Sequence, residues 1–119
     1  MEIFRVFHLQ CARRLPALPA THPCSRVHGH SFRVELTLGG ELDPVLGWVA
    51  DFADIGRAWQ PVHDALDHRC LNDIEGLDNP TSERLAIWLW DRLKPTLPGL
   101  SQLKVMETHD AGCVYRGPA

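Results

Sequence analysis

Two histidines separated by a single glycine carry the strongest chemical signal in the sequence. His28, Gly29 and His30 lead into a segment, residues 30–38, in which apolar and polar side chains alternate strictly. Alternate residues of a strand point to the same face, so both imidazoles can reach one metal ion. Neutral imidazole is a common zinc ligand. The pattern predicts a metal site; the alternative is two ordinary histidines at the start of a strand.

A cysteine precedes the two histidines. Cys24 lies four residues before His28. A thiol beside a metal ion or an imidazolium has a lowered pKa, and it can act as a base or a nucleophile. The alternative is a small buried residue, which is the commoner role of cysteine.

Two carboxylates are further candidates. Asp67 directly precedes His68, and a carboxylate that orients an imidazole is a recurring catalytic arrangement. Adjacent side chains often point apart, so the alternative is a pair of surface polar residues, with Asp67 as a cap. Glu107 ends an apolar strand, where it can accept two parallel hydrogen bonds from a flat, guanidine-like edge. Pterin and guanine rings present such an edge; the alternative is an exposed strand-end glutamate.

The elements that position these residues follow from periodicity. Alternation predicts strands at 2–12, 30–38, 102–108 and 112–116, the last two joined at Asp110-Ala111-Gly112, with a loop at 13–27. Helical spacing predicts helices at 54–66, capped by Asp54, and 80–94, capped by Asn79. Pro61 predicts a kink or a broken first turn in the first helix. The order is two strands, two helices, two strands.

Composition limits the class of protein. A length of 119 residues predicts one domain, 1–119, and a net charge of -3 argues against nucleic-acid binding. Glu2 and Arg5 interrupt any secretory signal, and the run Leu85–Trp90 is too short for a membrane span. We therefore expect a cytoplasmic protein whose four cysteines are thiols. The second helix is apolar on more than one face, which predicts burial against a partner subunit as well.

The order of these residues resembles the 6-pyruvoyl-tetrahydropterin synthase family over nearly the whole chain. The motifs that carry the resemblance are Arg14-Leu15-Pro16, Cys24-x-x-x-His28-Gly29-His30-Ser31-Phe32, Asp51-Phe52, Leu66-Asp67-His68, Leu71-Asn72, Asn79-Pro80-Thr81-Ser82-Glu83, Glu107 and Gly112-Cys113-x-Tyr115. Within the family, the chain resembles the bacterial branch, the 6-carboxytetrahydropterin synthases of queuosine biosynthesis. The spacer between Cys24 and His28, which is three residues long, is typical of that branch.

The resemblance implies an α+β tunnelling fold, a four-stranded antiparallel sheet with two helices on one face. It also implies a homohexamer built from two trimers, with active sites between subunits. The implied reaction converts 7,8-dihydroneopterin triphosphate and water to 6-carboxy-5,6,7,8-tetrahydropterin, acetaldehyde and triphosphate. The implied site residues are catalytic Cys24, Asp67 and His68, substrate-binding Glu107, Thr81 and Ser82, and zinc-binding His28 and His30.

One position of the implied metal site departs from the family pattern, besides milder departures at Gln10, Cys11 and Cys70. The family's third zinc histidine corresponds to Arg13, and a guanidinium has no free lone pair with which to bind a metal. Three interpretations follow: Cys11 is the third ligand, Arg13 supplies the positive charge of a metal-free or weak-metal enzyme, or the protein binds pterin but turns it over poorly or not at all. The rival reactions are formation of 6-pyruvoyl-tetrahydropterin and, more weakly, hydrolysis by Cys24, His68 and Asp67.

Overall fold

The computed structural model describes residues Met1–Ala119, and its elements follow one another in the order two strands, two helices, two strands. The elements are β1 (Glu2–Arg13), β2 (His28–Gly39), α1 (Phe52–Leu66), α2 (Ser82–Leu93), β3 (Leu100–Thr108) and β4 (Ala111–Tyr115). Two single turns of 3-10 helix lie at Pro23–Ser25 and Leu71–Asp73. The predicted order of elements is confirmed.

The four strands form one antiparallel sheet in the order β1-β2-β3-β4. β1 and β2 pair along their whole length, from Glu2 opposite Gly39 to Arg13 opposite His28. One face of the sheet is apolar and carries both helices, which is the predicted layering. Its buried side chains are Leu9, Phe32, Val34, Leu36, Leu103 and Val105. These residues lie in a single hydrophobic core with the apolar faces of α1 and α2.

Both helices begin away from their predicted caps. Asp51, not Asp54, caps α1, because its Oδ1 accepts a hydrogen bond from Ala53 N at 2.9 Å. Thr81, not Asn79, caps α2, because its Oγ1 accepts from Arg84 N at 3.1 Å. Both predicted caps were wrong, because several acceptors precede each helix and the chain path selects among them.

Pro61 lies in the interior of α1, which continues unbroken through it. The predicted broken first turn is wrong, because the helix begins at Phe52 and its first turn is complete before the proline. The buried stripe Ile55, Trp59 and Val62 faces the core. Packing of this stripe compensates for the backbone hydrogen bond that proline cannot donate.

The chain itself covers both apolar faces of α2. Trp88 and Trp90 are each buried. Trp88 Nε1 donates a hydrogen bond to Glu75 O at 3.0 Å, and the Trp90 ring packs edge-on against Tyr115 with centroids 5.5 Å apart. The apolar character of α2 therefore needs no partner subunit to account for it. Neither α1 nor α2 has the length and apolar composition that a transmembrane helix requires.

Candidate active site

On the helix-covered face of the sheet, the inward-facing side chains of β1, β2 and β3 change from apolar to polar at one end of the sheet. The register pairs Arg13 with His28 and Cys11 with His30, and directly paired residues share a face. Alternation along β3 brings Glu107 to this face after Leu103 and Val105. The N-terminus of α2 completes the group. We call these five residues the polar cluster: Arg13, His28, His30, Ser82 and Glu107.

Arg13 is the buried centre of the polar cluster, with 2% of its side chain exposed. Its Nη1 donates to Pro80 O at 3.0 Å, and its Nη2 donates to Glu107 Oε2 at 2.9 Å. The same Nη2 lies 3.3 Å from His30 Nε2. The guanidinium carbon lies 5.2 Å from the centre of the Phe32 ring. A carboxylate, a carbonyl and an aromatic face thus compensate a buried cation.

Glu107 is held from both sides. Its Oε1 accepts a hydrogen bond from Ser82 Oγ at 2.8 Å, and Arg13 occupies Oε2. Ser82 is the first residue of α2, so the carboxylate lies at the positive end of the helix dipole. A carboxylate has about four acceptor positions, and two are used here. The side chain is 32% exposed, so the other positions are open to a ligand.

Gly112 permits the backbone arrangement beside Glu107. The β3–β4 register shifts between Met106 and Thr108, the residues on either side of Glu107, and such irregularities re-aim a side chain. A Cβ atom at Gly112 would lie 2.2 Å from Val105 O and 2.8 Å from Met106 Cα. Only glycine fits this close approach of the two strands.

The two histidines of the metal prediction lie together, with ring centroids 4.8 Å apart. His28 Nδ1 donates to Arg26 O at 2.7 Å, and its Nε2 is buried without a hydrogen-bond partner. Burial and, next, the charge of Arg13 lower the pKa of His30. His30 is therefore neutral and accepts a hydrogen bond from Arg13 through Nε2.

The donor set does not fit a zinc ion with three protein ligands. No group of three His, Cys, Asp or Glu side chains converges anywhere in the chain. The Cys11 thiol donates to Leu66 O at 3.3 Å, and burial, with the charge of Asp67, raises its pKa to about 12. A protonated, hydrogen-bonded thiol is a poor zinc ligand. The predicted zinc site stays a prediction that rests on the resemblance.

Asp67 and His68 form a hydrogen-bonded pair at the end of α1. His68 Nδ1 donates to Asp67 Oδ2 at 2.5 Å. Asp67 Oδ1 accepts from Gln10 N at 2.8 Å, and this backbone N–H is the main cause of a lowered Asp67 pKa. His68 has a left-handed backbone with φ of 59°, a conformation uncommon for residues other than glycine. Asp67 thus both orients the imidazole and anchors β1.

Cys24 and Thr81 have separate surroundings. Cys24 is half-buried in the turn Pro23–Ser25, and its N–H donates to His22 Nδ1 at 3.1 Å. Its thiol makes no hydrogen bond to His68 within the chain. Thr81 is occupied as the cap of α2. The catalytic role of Cys24 and the substrate contact of Thr81 stay predictions.

Two open clefts lie at this end of the sheet. One, of about 440 Å³, is lined by His68 and Ser31 among others. The second, of about 650 Å³, is lined by Ser31, Arg33 and Glu107 among others. Ser31 lines both clefts, and it alternates with His30 and Phe32 along β2, so its side chain lies on the sheet face opposite the helices.

Two hydrogen-bonding groups of the site were not predicted from the sequence. The carbonyl of Pro80 and the N–H of Gln10 are backbone groups, and no side-chain type marks them in a sequence. The burial of Arg13 was also missed, since arginine is mostly exposed in proteins. Its place in the strand alternation after Leu9 and Cys11 is the one signal that predicts an inward side chain.

Comparison with known proteins gives a family for this arrangement. The sequence model of the family described as 6-pyruvoyl tetrahydropterin synthase matches residues 2–118. A 6-carboxy-5,6,7,8-tetrahydropterin synthase from Synechocystis sp. is 36% identical, over 98% of this chain and 93% of that protein. A dihydroneopterin monophosphate aldolase from Pyrococcus furiosus is 38% identical, over 72% of this chain and 75% of that protein.

A solved structure gives the same result for the fold. The 6-pyruvoyl tetrahydropterin synthase of Caenorhabditis elegans superposes with a TM-score of 0.92 at 29% identity, covering 99% of this chain and 96% of that one. The predicted tunnelling fold is therefore confirmed. On the matches over nearly its whole length, the chain belongs to the 6-pyruvoyl tetrahydropterin synthase family, whose members process pterins.

Proposed function

We propose that the chain is a lyase that converts 7,8-dihydroneopterin triphosphate and water to 6-carboxy-5,6,7,8-tetrahydropterin, acetaldehyde and triphosphate. A carbon-oxygen bond breaks to release triphosphate, and a carbon-carbon bond of the side chain breaks to release acetaldehyde. This is the 6-carboxytetrahydropterin synthase step in the biosynthesis of queuosine, a 7-deazapurine. The similarity to the Synechocystis protein over 98% of the chain supports this choice among the family's reactions. The single observation that carries an enzymatic role is the Asp67–His68 pair at the edge of an open cleft.

His68 is suited to move protons at the substrate side chain. Its Nδ1–H is held by Asp67, which fixes the tautomer and leaves Nε2 with a lone pair. The imidazole is 78% exposed, and Asp67 is 18% exposed. The Gln10 N–H keeps the pKa of Asp67 low, so the carboxylate stays ionised and favours the imidazolium that forms when Nε2 accepts a proton.

Glu107 is suited to bind the pterin ring. The ring presents an amino group and an adjacent ring N–H as two parallel donors, and a carboxylate accepts both. Ser82 and Arg13 fix the carboxylate plane while leaving acceptor positions free. Ser82 therefore supports substrate binding through Glu107.

We also propose that the active site is shared between subunits of a homohexamer, with Cys24 as one of its residues. The Cys24 thiol has no partner from Asp67 or His68 of its own chain. In a homohexamer with active sites between subunits, Cys24 of one subunit meets the Asp67–His68 pair of the next and acts as the general base. A mass measurement in solution tests this point, because a monomer at working concentration contradicts a shared site.

Turnover of 7,8-dihydroneopterin triphosphate by the purified protein, with products identified by mass, tests the function. We expect 6-carboxytetrahydropterin together with acetaldehyde. A 6-pyruvoyl product without acetaldehyde would favour the sibling reaction. Activity on the monophosphate alone would favour the chemistry for which the Pyrococcus relative is named.

A non-catalytic pterin-binding protein is the second candidate. The observation that favours it is Arg13 at the third position of the expected metal site. It predicts binding of the pterin triphosphate at Glu107 with no loss of triphosphate. The same assay, run beside an active family member, separates this candidate from the enzyme.

A further inference from the structure

The polar cluster contains a permanent cation in the place where a third metal ligand is implied. Arg13 Nη2 lies 3.3 Å from His30 Nε2 and 2.9 Å from Glu107 Oε2. A zinc ion on a histidine nitrogen stands about 2 Å from it. The lone pair of His30 Nε2 already accepts a hydrogen bond from Arg13 Nη2. A zinc ion bound to that lone pair would therefore collide with the guanidinium nitrogen.

Charge also opposes a second cation. A guanidinium is a permanent cation in proteins, and the Arg13 side chain is 2% exposed. Like charges in a poorly solvated site repel each other far more than in water. The one carboxylate of the polar cluster, Glu107, already neutralises Arg13.

The remaining hydrogen-bonding groups match a neutral ligand. The two buried atoms of the polar cluster without a partner are Arg13 Nε, a donor, and His28 Nε2, an acceptor. Their residues are direct partners across β1 and β2. Water or a hydroxyl group can satisfy one donor and one acceptor, whereas a metal ion needs acceptors alone.

We propose that Arg13 is the resident cation of this site and that it excludes a divalent metal from His28 and His30. Arg13 is a positioning residue: it fixes the His30 ring and the Glu107 carboxylate from within the core. The inference concerns the site of the proposed function. Its test uses no substrate, so a failure of the proposed reaction leaves the metal result readable.

Zinc uptake by the full chain tests the inference. Wild type, Arg13→His and Arg14→His are loaded with zinc chloride, desalted and analysed for metal by mass spectrometry, and a chelator titration gives the affinity. Arg14 is the exposed neighbour of Arg13, so its variant adds a histidine outside the polar cluster. We expect Arg13→His to retain about one zinc ion per chain and to bind it at least about tenfold more tightly than wild type and Arg14→His.

Two results would overturn the proposal. One is a wild-type protein that retains about one zinc ion per chain and loses it when His28 and His30 are replaced by glutamine. The other is a folded Arg13→His protein that binds zinc no better than wild type. If Arg13→His does not fold, Arg13→Gln takes its place, because it removes the charge without adding a ligand. Zinc binding no tighter than that of wild type would then contradict exclusion by the guanidinium.

Discussion

Arg13 Nη2 and Glu107 Oε2 lie 2.9 Å apart, although 94 positions separate the two residues in the chain. The pair joins the end of β1 to the end of β3 across the intervening β2. Its arginine is almost fully buried, and its glutamate is about one-third exposed. Burying a charge is costly unless it is paired, so the buried guanidinium of Arg13 depends on the carboxylate of Glu107 for charge compensation.

Removing one member of this pair is expected to cost more than removing both. Glu107→Leu leaves a buried guanidinium without its carboxylate and is expected to lower the free energy of unfolding by about 3 kcal/mol. The double variant Arg13→Met, Glu107→Leu removes both charges and should recover part of that loss. Denaturant unfolding of the single and double variants measures the difference. Equal stabilities would mean that Glu107 does not compensate Arg13.

Gly112→Ala is expected to disrupt the β3–β4 hairpin. The added Cβ would meet two backbone atoms, Val105 O and Met106 Cα, which cannot move aside as a flexible side chain can. We expect a loss of about 1–3 kcal/mol in the free energy of unfolding, with weakened pterin binding because Glu107 is displaced. Gly29→Ala is the control, since its Cβ would lie 3.9 Å from the nearest atom, Cys11 O. Equal effects of the two substitutions would contradict this account.

Asp67→Asn is expected to reduce kcat while leaving pterin binding nearly unchanged. The amide no longer stabilises the imidazolium of His68, and base-and-orienter pairs lose about 100- to 10,000-fold in rate when the carboxylate is removed. Steady-state kinetics with 7,8-dihydroneopterin triphosphate, together with a binding titration, separates the two effects. A variant that loses binding and turnover in parallel would show that Asp67 acts on structure instead.

The carboxylate of Asp67 also predicts a dependence of stability on pH. Its pKa is lowered in the folded chain, chiefly by the Gln10 N–H, so it contributes stability above its unfolded value of about 4, and the contribution is lost as pH falls through the folded pKa. The stability difference between wild type and Asp67→Asn should therefore shrink between about pH 5 and pH 2. Urea unfolding at several pH values measures it, and a constant difference would contradict the assignment.

Cys11 and Cys24 are expected to differ in reactivity. Burial raises the pKa of the Cys11 thiol to about 12, whereas Cys24 is half-buried in the turn that precedes β2. Iodoacetamide at about pH 8 should modify Cys24 much faster than Cys11, because only the thiolate reacts. Peptide mapping by mass spectrometry gives both rates. Comparable rates would indicate that the Cys11 thiol is ionised or that β1 opens readily.

The local pattern of the sequence was enough for the elements, their order and part of the site, whereas the tunnelling fold was implied by the family resemblance. Strict alternation in 30–38 and the helical spacing around Trp59 predicted their elements, because each element buries one face of its own segment. The His28–His30 pair was predicted for the same reason. These features depend on residues close together in the chain.

The rest of the site depends on contacts that local pattern does not contain. The sequence gives no sign that Arg13 meets Glu107 and the carbonyl of Pro80, since these contacts arise from sheet register and from the path before α2. The left-handed backbone at His68 is also invisible in its residue type. Charge compensation over long separations thus limited the prediction of chemistry more than the prediction of fold.

The position of Glu107 late in the chain has a consequence for the order of assembly during translation. Arg13, His28 and His30 leave the ribosome long before the carboxylate that completes their cluster. Until β3 is in place, the guanidinium has no counter-ion and must remain hydrated. In an unfinished chain, this end of the β1–β2 hairpin therefore remains exposed to water. The core can close there only after β3 has joined the sheet.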